Sequence, residues 1–187
     1  MADSDLVVFC RQVRSRSREN KQALELLHHH GNLPGNVIAT LRQELDSMVR
    51  CIFLLSITDR QYRDRLIHDC VEGNLWRTKD GKHKVTDREM VDLSTKLHGW
   101  AQNVYAFGCA FIHLSPFHDH AARDPLDTLT SHDRSDIANY LRNYHGVVIG
   151  RDTKLRDIAH VLPAVFEKIS ENLECYVKDL EAGSDLR

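Results

Sequence analysis

The chain has 187 residues, of which 42% are hydrophobic and 28% charged, with a formal net charge of −2 at pH 7. That length is enough for one domain with its own core, and the composition is that of an ordinary globular protein, not of a disordered or collagen-like chain. The near-neutral balance excludes a global field that draws in nucleic acid or acidic membranes, so any anion-binding surface must be a local patch.

No run of about 18 apolar residues occurs, so no transmembrane helix and no membrane partner are expected. The acidic opening Met1-Ala2-Asp3-Ser4-Asp5 lacks the basic segment and apolar core of a secretory signal. Cys10, Cys51, Cys70, Cys109 and Cys175 are widely spaced and never form a C-x-x-C pair. This points to reduced, buried thiols and a cytoplasmic setting.

In chain order, Ser4 or Asp5 can cap a first helix over about 5–30. Leu6, Phe9, Cys10, Val13, Leu24 and Leu27 form its apolar face, while residues 15–22 are wholly polar and read as a solvated stretch or a break. Gly31-Asn32-Leu33-Pro34-Gly35 is a turn. A second helix follows, with Ile38, Leu41, Leu45, Met48, Ile52 and Leu55 at steps of three and four. Thr58-Asp59 can cap a third helix to about Glu72. The polar stretch from Gly73 to Val85 is a loop with a small hairpin around Asp80-Gly81.

Thr86-Asp87-Arg88-Glu89 is a capping box. After it, Met90, Leu93, Leu97, Trp100, Val104, Phe107 and Phe111 keep an unbroken 3-4 register, with Ala101, Tyr105, Gly108 and Ile112 on a second face. The pattern predicts one helix over 86–113 that is the most buried in the molecule. Residues 115–130 are irregular. A further helix spans about Ser131 to Tyr144, and Gly146 can end it. The last apolar register runs from Thr153 to Leu180, with a break near 159–162 because Pro163 removes a backbone donor. The sum is an all-α fold, an antiparallel bundle of five to six helices in one domain over 1–187. Its core lies at about 34–181, and the first helix packs peripherally.

Three clusters carry candidate chemistry among the twelve histidines. The first is Arg63-Asp64-Arg65-Leu66-Ile67-His68. An arginine followed by a polar residue, with a histidine a few positions on, resembles the motif of HEPN proteins. The resemblance implies an all-helical homodimer acting on RNA without metal or cofactor, and a toxin or phage-defence role. Its partner would be a cognate antitoxin or a nucleotidyltransferase. In such a site the RNA 2′-hydroxyl attacks the adjacent phosphate, His68 moves a proton and Arg63 stabilises the developing charge.

The second cluster follows the 86–113 helix. Gly108-Cys109-Ala110-Phe111-Ile112-His113-Leu114-Ser115 is similar to the (I/V)-H-x-S ending of divergent HEPN-like families. His113, His118, Asp119 and His120 would then meet in a polar pocket mouth, with Arg63 and His68 approaching from the third helix or a second subunit. Third, the pairs His68-Asp69, His118-Asp119 and His132-Asp133 suggest an HD-type metal phosphohydrolase, with His30, His68-Asp69 and Asp119 or Asp136 as its ligands. Their context departs from that family, because Cys70-Val71-Glu72 follows the first pair, and no tightly bound metal is expected. Arg11, Arg14, Arg18 and Lys21 align on one helical face as a candidate RNA-binding stripe. A non-catalytic helical interaction module is the alternative to all of these.

Overall fold

The computed structural model describes residues 3–29, 33–119 and 122–186, and its regular elements are helical. They are α1 (Asp5–His29), α2 (Pro34–Ser56), α3 (Arg60–Val71), α4 (Asp87–Leu97), α5 (Ala101–Ile112), α6 (Ser131–His145), the single turn α7 (Leu155–Ile158) and α8 (Leu162–Glu181). The all-α class stands as expected. No helix of the described residues is long and apolar enough to cross a membrane.

Pro34 opens α2, where its missing N–H has no helical acceptor to lose. Buried residues then follow on every side of this helix: Val37 and Ile38, Leu41, Leu45, Met48 and Val49, Cys51 and Ile52, Leu54 and Leu55. A helix apolar all round must be surrounded, and α1, α4, α5 and α8 pack against it. The centre of the molecule is therefore α2, not the segment 86–113.

That segment is two helices where one was expected. His98 closes α4 with a non-helical backbone and Trp100 opens α5. Gly99 between them has the least helical propensity of any residue but proline. The break is held by packing: Trp100 is buried against Tyr140, and His98 reaches Tyr176 on α8. Leu97 is 42% exposed, and Val104 and Phe107 are only half-buried. Gly108 has its own reason, since a Cβ there would stand 2.6 Å from the Cβ of Arg42 on α2.

The polar middle of α1 is continuous helix, and part of it is not solvated. Ser17 and Asn20 donate to the fully buried Glu44 of α2, at 2.5 and 2.9 Å. A buried carboxylate needs such donors. On the other positions α1 supplies Phe9, Cys10, Val13 and Leu24 to the core, so it is less peripheral than its composition suggests.

Local signals hold elsewhere. Asp59 caps α3, the Thr86–Glu89 capping box is formed, and Gly146 ends α6 in the left-handed conformation. The hairpin around Asp80-Gly81 is a minimal one, with Val85 N–H donating to Trp76 and Thr78 N–H to His83, each at 2.9 Å. Pro163 sits in the first turn of α8, after a 3-10 turn over Ala159–Val161.

Candidate functional site

Arg63 and His68 are five residues apart on α3, which turns their side chains about 140° away from each other. Arg63 faces inward and is 3% exposed. Its guanidinium donates to the carbonyls of Ile57 (2.6 and 3.0 Å), Leu55 (3.3 Å) and Ser184 (2.9 Å) and to the carboxylate of Asp185 (2.5 Å). It ties the end of α2 to the C-terminal tail from a buried position. His68 is exposed and pairs through Nδ1 with Asp5 at 2.9 Å, a hydrogen bond that raises its pKa.

The second cluster lies at the other end of the molecule. Phe111 packs beside Gly35 at the start of α2, whereas Arg63 holds Leu55 near its end. Twenty residues of helix separate these points by about 30 Å, so the convergence of Arg63 and His68 on His113 does not occur within one chain. His113 is an exposed C-cap residue. His118 caps α5: its Nδ1 accepts from the Ser115 N–H at 3.3 Å, and its Nε2 lies 3.2 Å from the Phe111 carbonyl. Asp119 is exposed on a 3-10 turn, and His120 lies outside the described residues, as does His30.

The basic stripe is largely neutralised by acids. Arg14 forms two-pronged contacts with Glu174 and Glu181, Lys21 pairs with Glu167 at 2.6 Å, and Arg11 pairs with Asp3 at 2.5 Å. Arg18 is exposed. Two of the four cations, Arg14 and Lys21, thus join α1 to α8 where a phosphate-binding face was expected. Among the described residues no three His, Cys, Asp or Glu side chains stand together as metal ligands.

The structure brings together a different set of groups. The α4–α5 break and one face of α6 bound an open cleft of about 240 Å³, lined by Gly99, Trp100, Asn103, Asp136, Asn139, Tyr140, Asn143 and Tyr144. Around it runs a chain of aromatic contacts from Tyr176 through His98 and Trp100 to Tyr140, Tyr144 and His145, with ring centres 5.2–5.9 Å apart. Nε2 of His98 lies 2.7 Å from the Tyr176 hydroxyl, and Nε2 of His145 lies 3.2 Å from that of Tyr140. The Lys168 ammonium stands 4.6 Å above the Tyr144 ring, itself 51% exposed.

No family model, curated protein or solved structure matches the chain. The chemistry of the cleft therefore rests on its own groups.

Burial, and secondarily the Lys168 charge, lowers the pKa of both His98 and His145. Both imidazoles are thus neutral at pH 7 and able to take a proton. Burial also raises the pKa of Tyr140 and Tyr176, which keeps their hydroxyls protonated. Of these four groups Tyr140 lines the cleft itself, and His98, His145 and Tyr176 stand in the ring of contacts around it.

The same shifts make stability depend on pH. A histidine whose folded pKa lies below its unfolded value near 6.5 binds more protons when unfolded. Its contribution is complete above pH 6.5 and is lost as the pH falls through the folded pKa. The melting temperature is expected to drop between pH 7.5 and 5.5, with a shallower drop in the double variant His98→Gln/His145→Gln. Parallel pH profiles of the two proteins would mean that these histidines titrate as in the unfolded chain.

Proposed function

We propose that the protein acts on single-stranded RNA through the cleft between the α4–α5 break and α6. The observation that carries this reading is the exposed Tyr144 ring under the Lys168 ammonium, beside the carboxamides of Asn103, Asn139 and Asn143. An unstacked base is held by an aromatic face and by hydrogen bonds to its edge, and Lys168 can meet the neighbouring phosphate. The neutral His98, beside the Tyr176 hydroxyl at the α4–α5 break, would take the 2′-hydroxyl proton as that oxygen attacks the phosphate, while the P–O5′ bond breaks and the 5′-oxygen leaves with a proton from water. This keeps the RNA-acting, HEPN-like endoribonuclease reading but moves its chemistry away from Arg63 and His68. A homodimer, and a cognate antitoxin or nucleotidyltransferase partner, belong to the same reading through the resemblance alone. The composite Arg–His argument for a dimer lapses, because Arg63 is already engaged.

The test is fluorescence anisotropy with a short labelled single-stranded RNA, followed by cleavage assays in the presence of chelator. Base stacking of about 1–3 kcal/mol makes Tyr144→Ala bind roughly tenfold more weakly. Lys168→Ala should flatten the salt dependence. His98→Gln should bind normally and fail to cleave. If the wild type binds no RNA at micromolar concentration, or Tyr144→Ala binds as well as wild type, the cleft is not an RNA site and the interaction-module reading takes its place.

A further inference from the structure

Charge is spread unevenly over the surface. Between residues 77 and 84, Arg77, Lys79, Lys82 and Lys84 stand against the one carboxylate of Asp80, in a chain whose net charge is −2. This segment is the minimal hairpin between α3 and α4. Its inner side is fixed, because Trp76 and Val85 are buried and Trp76 stacks on Phe53 of α2 with ring centres 5.9 Å apart. Arg77 and Lys84, both exposed, are paired directly across the hairpin. Hydrogen bonds flank that pair, from Val85 N–H to Trp76 and from Thr78 N–H to His83. It is therefore the non-hydrogen-bonded kind of pair, in which side chains come closest. Like charges directly opposite each other cost stability, so the folding of the hairpin does not account for them.

The neighbouring groups leave this charge in place. Arg65 of α3 donates to the carbonyls of Thr78 and Lys79 at 2.9 and 3.3 Å, neutral acceptors that do not cancel it. Asp80 is spent within the turn, accepting from the Thr78 hydroxyl at 2.5 Å and the Lys82 N–H at 3.1 Å. Lys79 is matched by Asp59 at 2.5 Å, whereas Arg65, Arg77, Lys82 and Lys84 form no ion pair among the described residues. We propose that the outer face of this hairpin binds the phosphate backbone of double-stranded RNA. A fixed cluster of unmatched cations is complementary to a run of phosphates. Residues 77–84 include no Phe, Tyr or Trp for an unpaired base to stack on and no Asn or Gln to read a base edge. That favours a duplex, whose bases are turned inward, and contact independent of sequence. The tip, Asp80-Gly81, offers no apolar side chain to enter a lipid surface. The choice of RNA over DNA rests on the reading of the cleft; the phosphate contact does not.

Anisotropy of a labelled blunt RNA duplex, followed against salt concentration, reads the contact. Arg77→Gln/Lys84→Gln should weaken duplex binding about tenfold at low salt and lower the salt slope by about two, one for each lost phosphate contact. The same variant should melt no lower than the wild type, because the like-charge pair is relieved; a purely structural role for the pair requires a lower melting temperature. The variant should still bind single-stranded RNA at the cleft, and Tyr144→Ala should keep full duplex affinity, so the two sites fail separately. The proposal is overturned if micromolar wild type leaves the duplex free at low salt, or if the neutralised variant binds it as tightly and with the same slope. Equal affinity for a DNA duplex of the same sequence would overturn the choice of RNA. Vesicles containing phosphatidylserine that bind the wild type and not the variant, where the duplex binds neither, would assign the face to a membrane instead.

Discussion

Arg63→Ala is expected to cost about 1–3 kcal/mol of folding stability, the range for acceptors that lose their donor on removal of a buried hydrogen-bonding group. The last carbonyls of any helix have no donor within it, and at the end of α2 the Arg63 guanidinium supplies donors to Leu55 and to Ile57 just beyond. The same group holds Ser184 and Asp185, while the Leu186 N–H donates to the Leu55 carbonyl at 2.8 Å. Alanine would take a donor from the part-buried carbonyls of Ile57 and Ser184, leave the Leu55 carbonyl only the Leu186 N–H, and loosen the tail. Arg63→Lys should recover only part of the loss, because one ammonium cannot reproduce a planar fork of five N–H donors. Asp185→Ala should cost less than about 1 kcal/mol, since Asp185 is half-exposed and screened by solvent. Urea unfolding of the three variants provides the comparison. An Arg63→Ala protein of near wild-type stability would return Arg63 to the candidates for substrate binding.

The fate of Arg63 shows which parts of the molecule were legible in the sequence. Features decided within one turn of helix were readable: the Thr86–Glu89 capping box, the stop at Gly146, the break before Pro163 and the turn at Asp80-Gly81. The opposite orientation of Arg63 and His68 was also implicit, because a spacing of five does not share a helical face. The burial of Arg63 depends on Ser184 and Asp185, more than 100 residues away, and no local pattern carries that. The basic stripe lies between these cases. Glu167, Glu174 and Glu181 recur every seven residues along α8, and two of the stripe's cations, Arg14 and Lys21, answer them. That complementary acidic stripe was the available signal for an interhelical seam. For the cleft the signal was His98-Gly99, a helix-breaking pair inside a strong 3-4 register. The register outweighed it on paper, whereas in the fold the burial of Trp100 and the His98–Tyr176 contact outweigh the register.

The displacement of the core from segment 86–113 to α2 leads to the second large effect. Leu45→Ala is expected to destabilise by about 2–5 kcal/mol, whereas Leu97→Ala should cost well under 2 kcal/mol. Leu45 is 0% exposed and sits on the helix against which α1, α4, α5 and α8 all pack, so little can move to refill the space. Removing its outer carbons forfeits both the transfer free energy and the contacts around the cavity left behind. Leu97 occupies the last turn of α4 before the break, and a side chain already 42% exposed loses less apolar burial on truncation. The 3-4 register alone ranks the two the other way, since Leu97 lies mid-way in its longest run. Denaturant unfolding of both variants therefore separates the two descriptions of the core. A cost for Leu97→Ala equal to or above that for Leu45→Ala would restore segment 86–113 as the centre of the fold.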